Sequence, residues 1–132
     1  MKLRIKGNSI RLRLGQSEVR RLAINGRVDE FTNFGPSVEE RFGYTLCSSS
    51  EELRVSVIFS DGRIVVCVPT RVIHQWATTN QVSIQAMQRT TENDELRILI
   101  EKDFECMEAS HGESQDDAFP NPHPSEEHCH AS

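Results

Sequence analysis

The residues best equipped for chemistry crowd the C-terminal end of the chain. Cys106, His111, His123, His128, Cys129 and His130 place four of the five histidines and two of the four cysteines within residues 106–132. Thiolate and imidazole are the ligands that Zn²⁺ takes in a tetrahedral set of four, and copper or nickel accepts imidazoles near a chain end. His128, Cys129 and His130 are consecutive, so an extended backbone points them to alternate sides. The usable set is therefore Cys106, His123, His128 and Cys129, with His130 and His111 as substitutes. The three prolines of "FPNPHP" favour polyproline-like extension and lower the cost of ordering that segment. No pair has the CxxC or HxxxH spacing that fixes two ligands on one turn, so the segment also reads as a disordered tail with only weak affinity for metal, or as one that contacts a protein partner. The expected cofactor is a transition metal, zinc or copper, or else none.

A second group lies at the other end. In "MKLRIKGNSIRLRL" Lys2, Arg4, Lys6, Arg11 and Arg13 alternate with Leu3, Ile5, Ile10, Leu12 and Leu14. Two strands of this pattern put the apolar residues inward and the cations outward. Arg20, Arg21 and Arg27 follow closely. Residues 1–27 carry eight Lys or Arg against one Glu, whereas residues 101–132 carry nine acids against one Lys, within a net charge of −5. A basic ribbon can meet DNA phosphates, and an acidic tail on the same chain can cover it. The nucleic-acid candidates are Arg4, Lys6, Arg11, Arg13 and Arg20. No aromatic is interleaved for stacking on single strands.

Enzyme signatures are missing: there is no Ser-His-Asp arrangement, no Gly-rich phosphate loop and no HExxH. An enzyme using Cys106 or His74 at a pocket mouth is the third class, but Asp103, Glu105 and Glu108 oppose a thiolate at Cys106. Cys67 sits between valines and reads as core. The N-terminus lacks the unbroken apolar run of a signal peptide, no stretch matches a membrane span, and four scattered cysteines suit a reducing compartment. A cytoplasmic, non-enzymatic binding protein with no membrane partner is expected.

These side chains must be positioned by a small body. The 132 residues suit a single domain, expected over residues 1–104, with residues 105–132 as an extended or disordered acidic tail. Sliding the chain by 54 positions lays "LRIKGNSIRLRLGQSEVRRLAINGRV" on "VIFSDGRIVVCVPTRVIHQWATTNQV", with Ile10 on Ile64, Ala23 on Ala77 and Val28 on Val82. Each half, 1–47 and 55–101, reads as two strands, a short helix and two strands. Gly7-Asn8 and Asp61-Gly62 supply the tight turns. Val19, Leu22 and Ala23, and likewise Ile73, Trp76 and Ala77, form helical stripes, with Ser17 and Thr70 as N-caps. Neither half buries its own apolar face, so the fold expected is α+β, tandem ββαββ repeats closing into a pseudo-twofold β-barrel, and a closed internal pair of this kind implies a monomer.

Two resemblances bear on this. "DGRIVVCVPTRVIHQWATTNQVSIQAM" resembles the half-barrels of transition regulators of the AbrB and MraZ type, through Gly62, Arg63, Ile64, Pro69 and Val82. The first half has Ser9 and Gly15 where that pattern has Arg and Pro. This resemblance implies a swapped-hairpin barrel that lays a basic hairpin on DNA. The whole chain also resembles a family of small bacterial proteins of unassigned function, through Lys2 to Leu14, Lys102 to Cys106 ("KDFEC") and Phe119 to Pro122 ("FPNP"). That second resemblance implies no particular chemistry.

Overall fold

A computed structural model describes residues 1–104 together with 117, 119 and 120. Eight strands and two α-helices occur in the order β1 (Lys2–Lys6), β2 (Ser9–Leu14), α1 (Gln16–Asn25), β3 (Arg27–Asn33), β4 (Arg41–Ser49), β5 (Ser56–Ser60), β6 (Arg63–Pro69), α2 (Thr70–Thr78), β7 (Ser83–Arg89) and β8 (Glu95–Lys102), with a 3-10 turn at Val38–Glu40. The protein is α+β. Its strands form two four-stranded sheets, β1-β2-β8-β7 and β3-β4-β6-β5. Each sheet thus combines one hairpin from either half of the chain. The central contacts, β2 with β8 and β4 with β6, are parallel, and all the others are antiparallel.

Local chemistry accounts for the elements. Alternation in "SIRLRL" turns Ile10, Leu12 and Leu14 inward, at most 5% exposed, and leaves the arginines on the other face. The β5–β6 hairpin turns at Asp61 (φ 53°) and Gly62 (φ 72°), positive angles that Gly and Asp tolerate better than other residues. Both helices begin earlier than Ser17 and Thr70 would set as caps. The α1 N-cap is Gly15, and its first turn is held by Asp117: Gln16 N–H donates to the Asp117 carbonyl at 2.6 Å and Ser17 N–H to its Oδ1 at 2.8 Å. A side chain at Gly15 would strike Asp117, so the glycine lets that segment approach. The stop at Asn25-Gly26 is an αL cap, Gly26 at φ 82°.

One core joins all layers: Leu12 and Leu14 from β2, Ile98 and Ile100 from β8, Leu46 from β4, Val66 and Val68 from β6, and Leu22 and Trp76 from the helices. The indole N–H of Trp76, fully buried, donates to the Val82 carbonyl at 2.9 Å, which satisfies its one polar atom.

The expected closed barrel is not formed. Closure requires backbone ladders between edge strands, β1 with β3 and β5 with β7. Instead, side chains span the seams. The Gln88 amide on β7 accepts from Val57 N–H at 2.7 Å and donates to the Val57 carbonyl at 2.9 Å, so β5 meets an amide where a strand would pair. Across the other seam, Tyr44 Oη donates to the Met1 carbonyl at 2.9 Å, and Met1 N contacts Glu18 and Glu30. Matching Val28 to Val82 fails as well. Val28 faces Leu46, and it is Ile84 that faces Ile100; Val82 precedes β7 and is 41% exposed.

Candidate functional site

The basic hairpin is built as its alternation requires. Lys2 lies opposite Arg13 and Arg4 opposite Arg11 in the β1–β2 register, placing four cations side by side on the outer face. Leu3 contributes to a shallow depression of about 230 Å³ among Lys2, Arg4, Arg11 and Arg13. Lys6 continues the β1 row beside Ser9.

The parallel partner of β2 extends this face. Ser9, Arg11 and Arg13 are in register with Arg97, Leu99 and Glu101 of β8, and Met87 and Arg89 of β7 lie beyond, beside Arg97 and Glu95. The face therefore carries Arg89 and Arg97 in addition to the hairpin's five cations, against Glu95, Glu101 and Asp103. Sequence reasoning missed both arginines. "LRILIEK" shows the alternation that turns Arg97 outward, but the pairing with β2 spans more than eighty residues and no local signal encodes it.

Charge on this face is only partly neutralised. Glu101 Oε2 accepts from Arg13 Nη2 at 3.0 Å and Nε at 3.2 Å, and lies 3.3 Å from Arg11 Nε. Lys2 Nζ is 3.4 Å from Asp103. Among the described residues, Arg4, Lys6 and Arg97 have no ion pair or side-chain hydrogen bond. Arg20 is not part of this face: it is exposed on α1, which packs on α2, β3 and β4.

The metal-ligand candidates Cys106, His111, His123, His128, Cys129 and His130 all lie outside the described residues. Among the described residues no group of three or more His, Cys, Asp or Glu side chains is arranged to hold a metal ion. The segment taken as a tail nevertheless includes contacts with the body. Phe119 N–H donates to the Asp103 carbonyl at 2.6 Å, its ring meets Phe104 edge-on with centroids 5.7 Å apart, and Lys102 Nζ lies 5.2 Å from it. Lys102, Asp103 and Phe104 of "KDFEC" and Phe119 of "FPNP" therefore meet in space. Lys102 is itself 7% exposed, donates to the Thr79 carbonyl at 2.9 Å beyond the end of α2, and lies 5.9 Å from the Trp76 ring. Burial pushes its ammonium below the usual lysine range.

The outer face of the other sheet differs in character. Asp29 accepts from Arg27 Nε at 2.9 Å, from the Thr45 hydroxyl, and from Arg63 at 3.3 Å. The Arg27 hydrogen bond leads in holding its carboxyl below the usual range. Phe31 lies under Arg41 and Arg63, 4.4 and 5.2 Å from its centroid. Cys67, expected in the core, is instead half-buried on this face, because alternation gives the interior to Ile64, Val66 and Val68. Its direct neighbour is Cys47, with sulfurs 3.1 Å apart. Burial, together with the adjoining Cys67 sulfur, pushes the Cys47 thiol up to about 12. His74 is exposed on α2, and Cys106 lies outside the described residues.

Among the described residues no helix is long and apolar enough to cross a membrane. Comparison with curated proteins returns no match, and comparison with solved structures returns none. A family model described as "Family of unknown function (DUF7009)" matches residues 1–123, nearly the whole chain, and the protein belongs to that family.

Proposed function

We propose that the outer face of the β1-β2-β8-β7 sheet binds duplex nucleic acid through its phosphates. The observation that carries this reading is the collection of seven Lys and Arg side chains on one sheet face, against Glu95, Glu101 and Asp103, in a chain whose net charge is −5. Cations in so acidic a protein gather on one surface only at a cost in mutual repulsion, which polyanion binding offsets. The depression among Lys2, Arg4, Arg11 and Arg13 is a seat for one phosphate, and unpaired Lys6 and Arg97 continue the face beyond Arg4, on either side of Ser9. Leu99 and Met87 supply apolar contact but no ring, which favours a duplex backbone over stacked single-strand bases.

Fluorescence anisotropy with a mixed-sequence DNA duplex tests the proposal. Binding is expected at about 50 mM salt, with log Kd rising against log salt at a slope of roughly 3–5, as for four or five phosphates. Arg4→Glu combined with Arg97→Glu weakens it at least tenfold, roughly 1.4 kcal/mol. A flat titration at low salt removes the reading.

We also infer that the two halves are copies of one unit. The support lies in the registers: Leu12 sits between Leu3 and Ile100, and Val66 between Val57 and Leu46, each position displaced by 54 along or across the halves. The final hairpins depart from this by two residues. A tandem of two second halves is expected to fold with the same strand content by circular dichroism, and an unfolded tandem counts against common descent.

A further inference from the structure

The β4–β6 contact places Cys47 directly beside Cys67, in register on adjacent parallel strands, with both side chains on the outer face of the sheet. Neighbouring strands lie about 4.8 Å apart, within the separation that a disulfide accepts between α-carbons. The sulfurs are already 3.1 Å apart, so bonding at about 2.05 Å requires an approach of only about 1 Å. The corresponding step of the other sheet brings its side chains together too. There Arg13 faces Glu101 across two parallel strands, and the pair is bonded at 3.0 Å. This register therefore holds side-chain ends in contact on both sheets, one contact being ionic and the other a dithiol.

The row across the sheet runs from Arg27, opposite Cys47, to Ser56, opposite Cys67. Arg27 is the cation of that row, and its guanidinium is engaged by Asp29 at 2.9 Å. Both cysteines are partly exposed, so a small reagent can reach them.

We propose that Cys47 and Cys67 are a reversible redox pair, oxidised to a cross-strand disulfide by low-molecular-weight disulfides. One cysteine, as thiolate, attacks the small disulfide RSSR; a protein–S–S–R bond forms, the S–S bond of the reagent breaks, and one RSH leaves. The second cysteine then attacks the protein sulfur of that mixed disulfide, forming the Cys47–Cys67 bond and expelling the second RSH. Two electrons pass from the protein thiols to the reagent, and the two thiol protons leave with the two RSH molecules. The raised proton affinity of the Cys47 thiol slows attack by that sulfur. The second step is fast because the resolving sulfur is already in place. Oxidation ties β4 of the first half to β6 of the second, at the centre of the sheet.

The test uses the full chain with Cys106→Ser and Cys129→Ser, so that only this pair reports. The reduced protein is equilibrated with oxidised glutathione, quenched in acid, alkylated under denaturing conditions and analysed by intact and peptide mass spectrometry. The expected product has lost two hydrogens, takes up no alkylating agent, yields a linked Cys47–Cys67 peptide pair, and recovers both thiols on reduction. Cys47→Ser and Cys67→Ser variants each stop at the glutathione mixed disulfide, which shows that each thiol resolves the other. Two alkylatable thiols after equilibration, or separate glutathione adducts on both cysteines of the otherwise intact pair, overturn the proposal.

Discussion

At the residue scale, two buried or half-buried charges set testable pH behaviour. Asp29 has its carboxyl held down, chiefly by the hydrogen bond from Arg27. A depressed carboxylate contributes stability above its ordinary value near 3.8, and that contribution is lost as pH falls through the lower folded value. Asp29→Asn is expected to cost about 1 kcal/mol at neutral pH, the small figure reflecting partial exposure. It also flattens the loss of stability below about pH 4, read from urea unfolding across the acid range. Lys102 has the opposite sign. Burial depresses its ammonium, so its contribution improves as pH rises from the folded value toward the ordinary 10.5. Lys102→Ala removes the bond to Thr79 and the ammonium's approach to the Trp76 and Phe119 rings, and is expected to cost about 2 kcal/mol. Lys102→Met keeps the stem and removes the buried charge, so its urea midpoint stays much closer to the wild-type value.

Among elements, the seam between β5 and β7 depends on one side chain. Gln88 supplies both an acceptor and a donor to Val57, a task that glutamate cannot perform because its carboxylate has no N–H to offer the Val57 carbonyl. Gln88→Ala and Gln88→Glu are both expected to lose about 1–2 kcal/mol, with faster hydrogen exchange at the Val57 amide as the local readout. The start of α1 depends on a residue a hundred positions away. Asp117→Ala removes the carboxylate that Ser17 N–H bonds and is expected to cost about 1 kcal/mol, as for other lost N-caps; the amides of Gln16 to Val19 then exchange faster.

For the whole molecule, the proposed binding of a polyanion is expected to depend on the chain's charge asymmetry. Residues 1–27 are strongly basic and residues 101–132 strongly acidic, so the acidic end competes with a polyanion for the same cations. Asp103 already lies beside Lys2 on the proposed face. Changing Glu105, Glu108, Glu113 and Asp116 to their amides is expected to tighten duplex binding severalfold at low salt. That gain shrinks near 0.15 M, where screening acts over about 8 Å. Anisotropy titrations at the two salt levels decide it, and an equal gain at both would exclude electrostatic competition.

Features that depend on neighbours along the chain were legible in the amino-acid order. Period-two alternation in "SIRLRL" and apolar spacing in "IHQWA" placed the strands and helices, and Asp61-Gly62 placed a turn, since each depends on local backbone preference and local burial. The outward row of Lys2, Arg4, Arg11 and Arg13 was legible for the same reason. Tertiary structure decided the rest. Which strands become neighbours depends on packing between segments far apart, so the addition of Arg89 and Arg97 to the basic face had no local sign. Cys67 read as core because valines surround it in sequence, yet a side chain's face follows from its parity in the strand, and its partner follows from the parallel register with β4. Barrel closure was likewise a matter of edges: an amide from Gln88 and the contacts of Met1 occupy seams where backbone ladders were expected, and those contacts exist only once the two sheets have met.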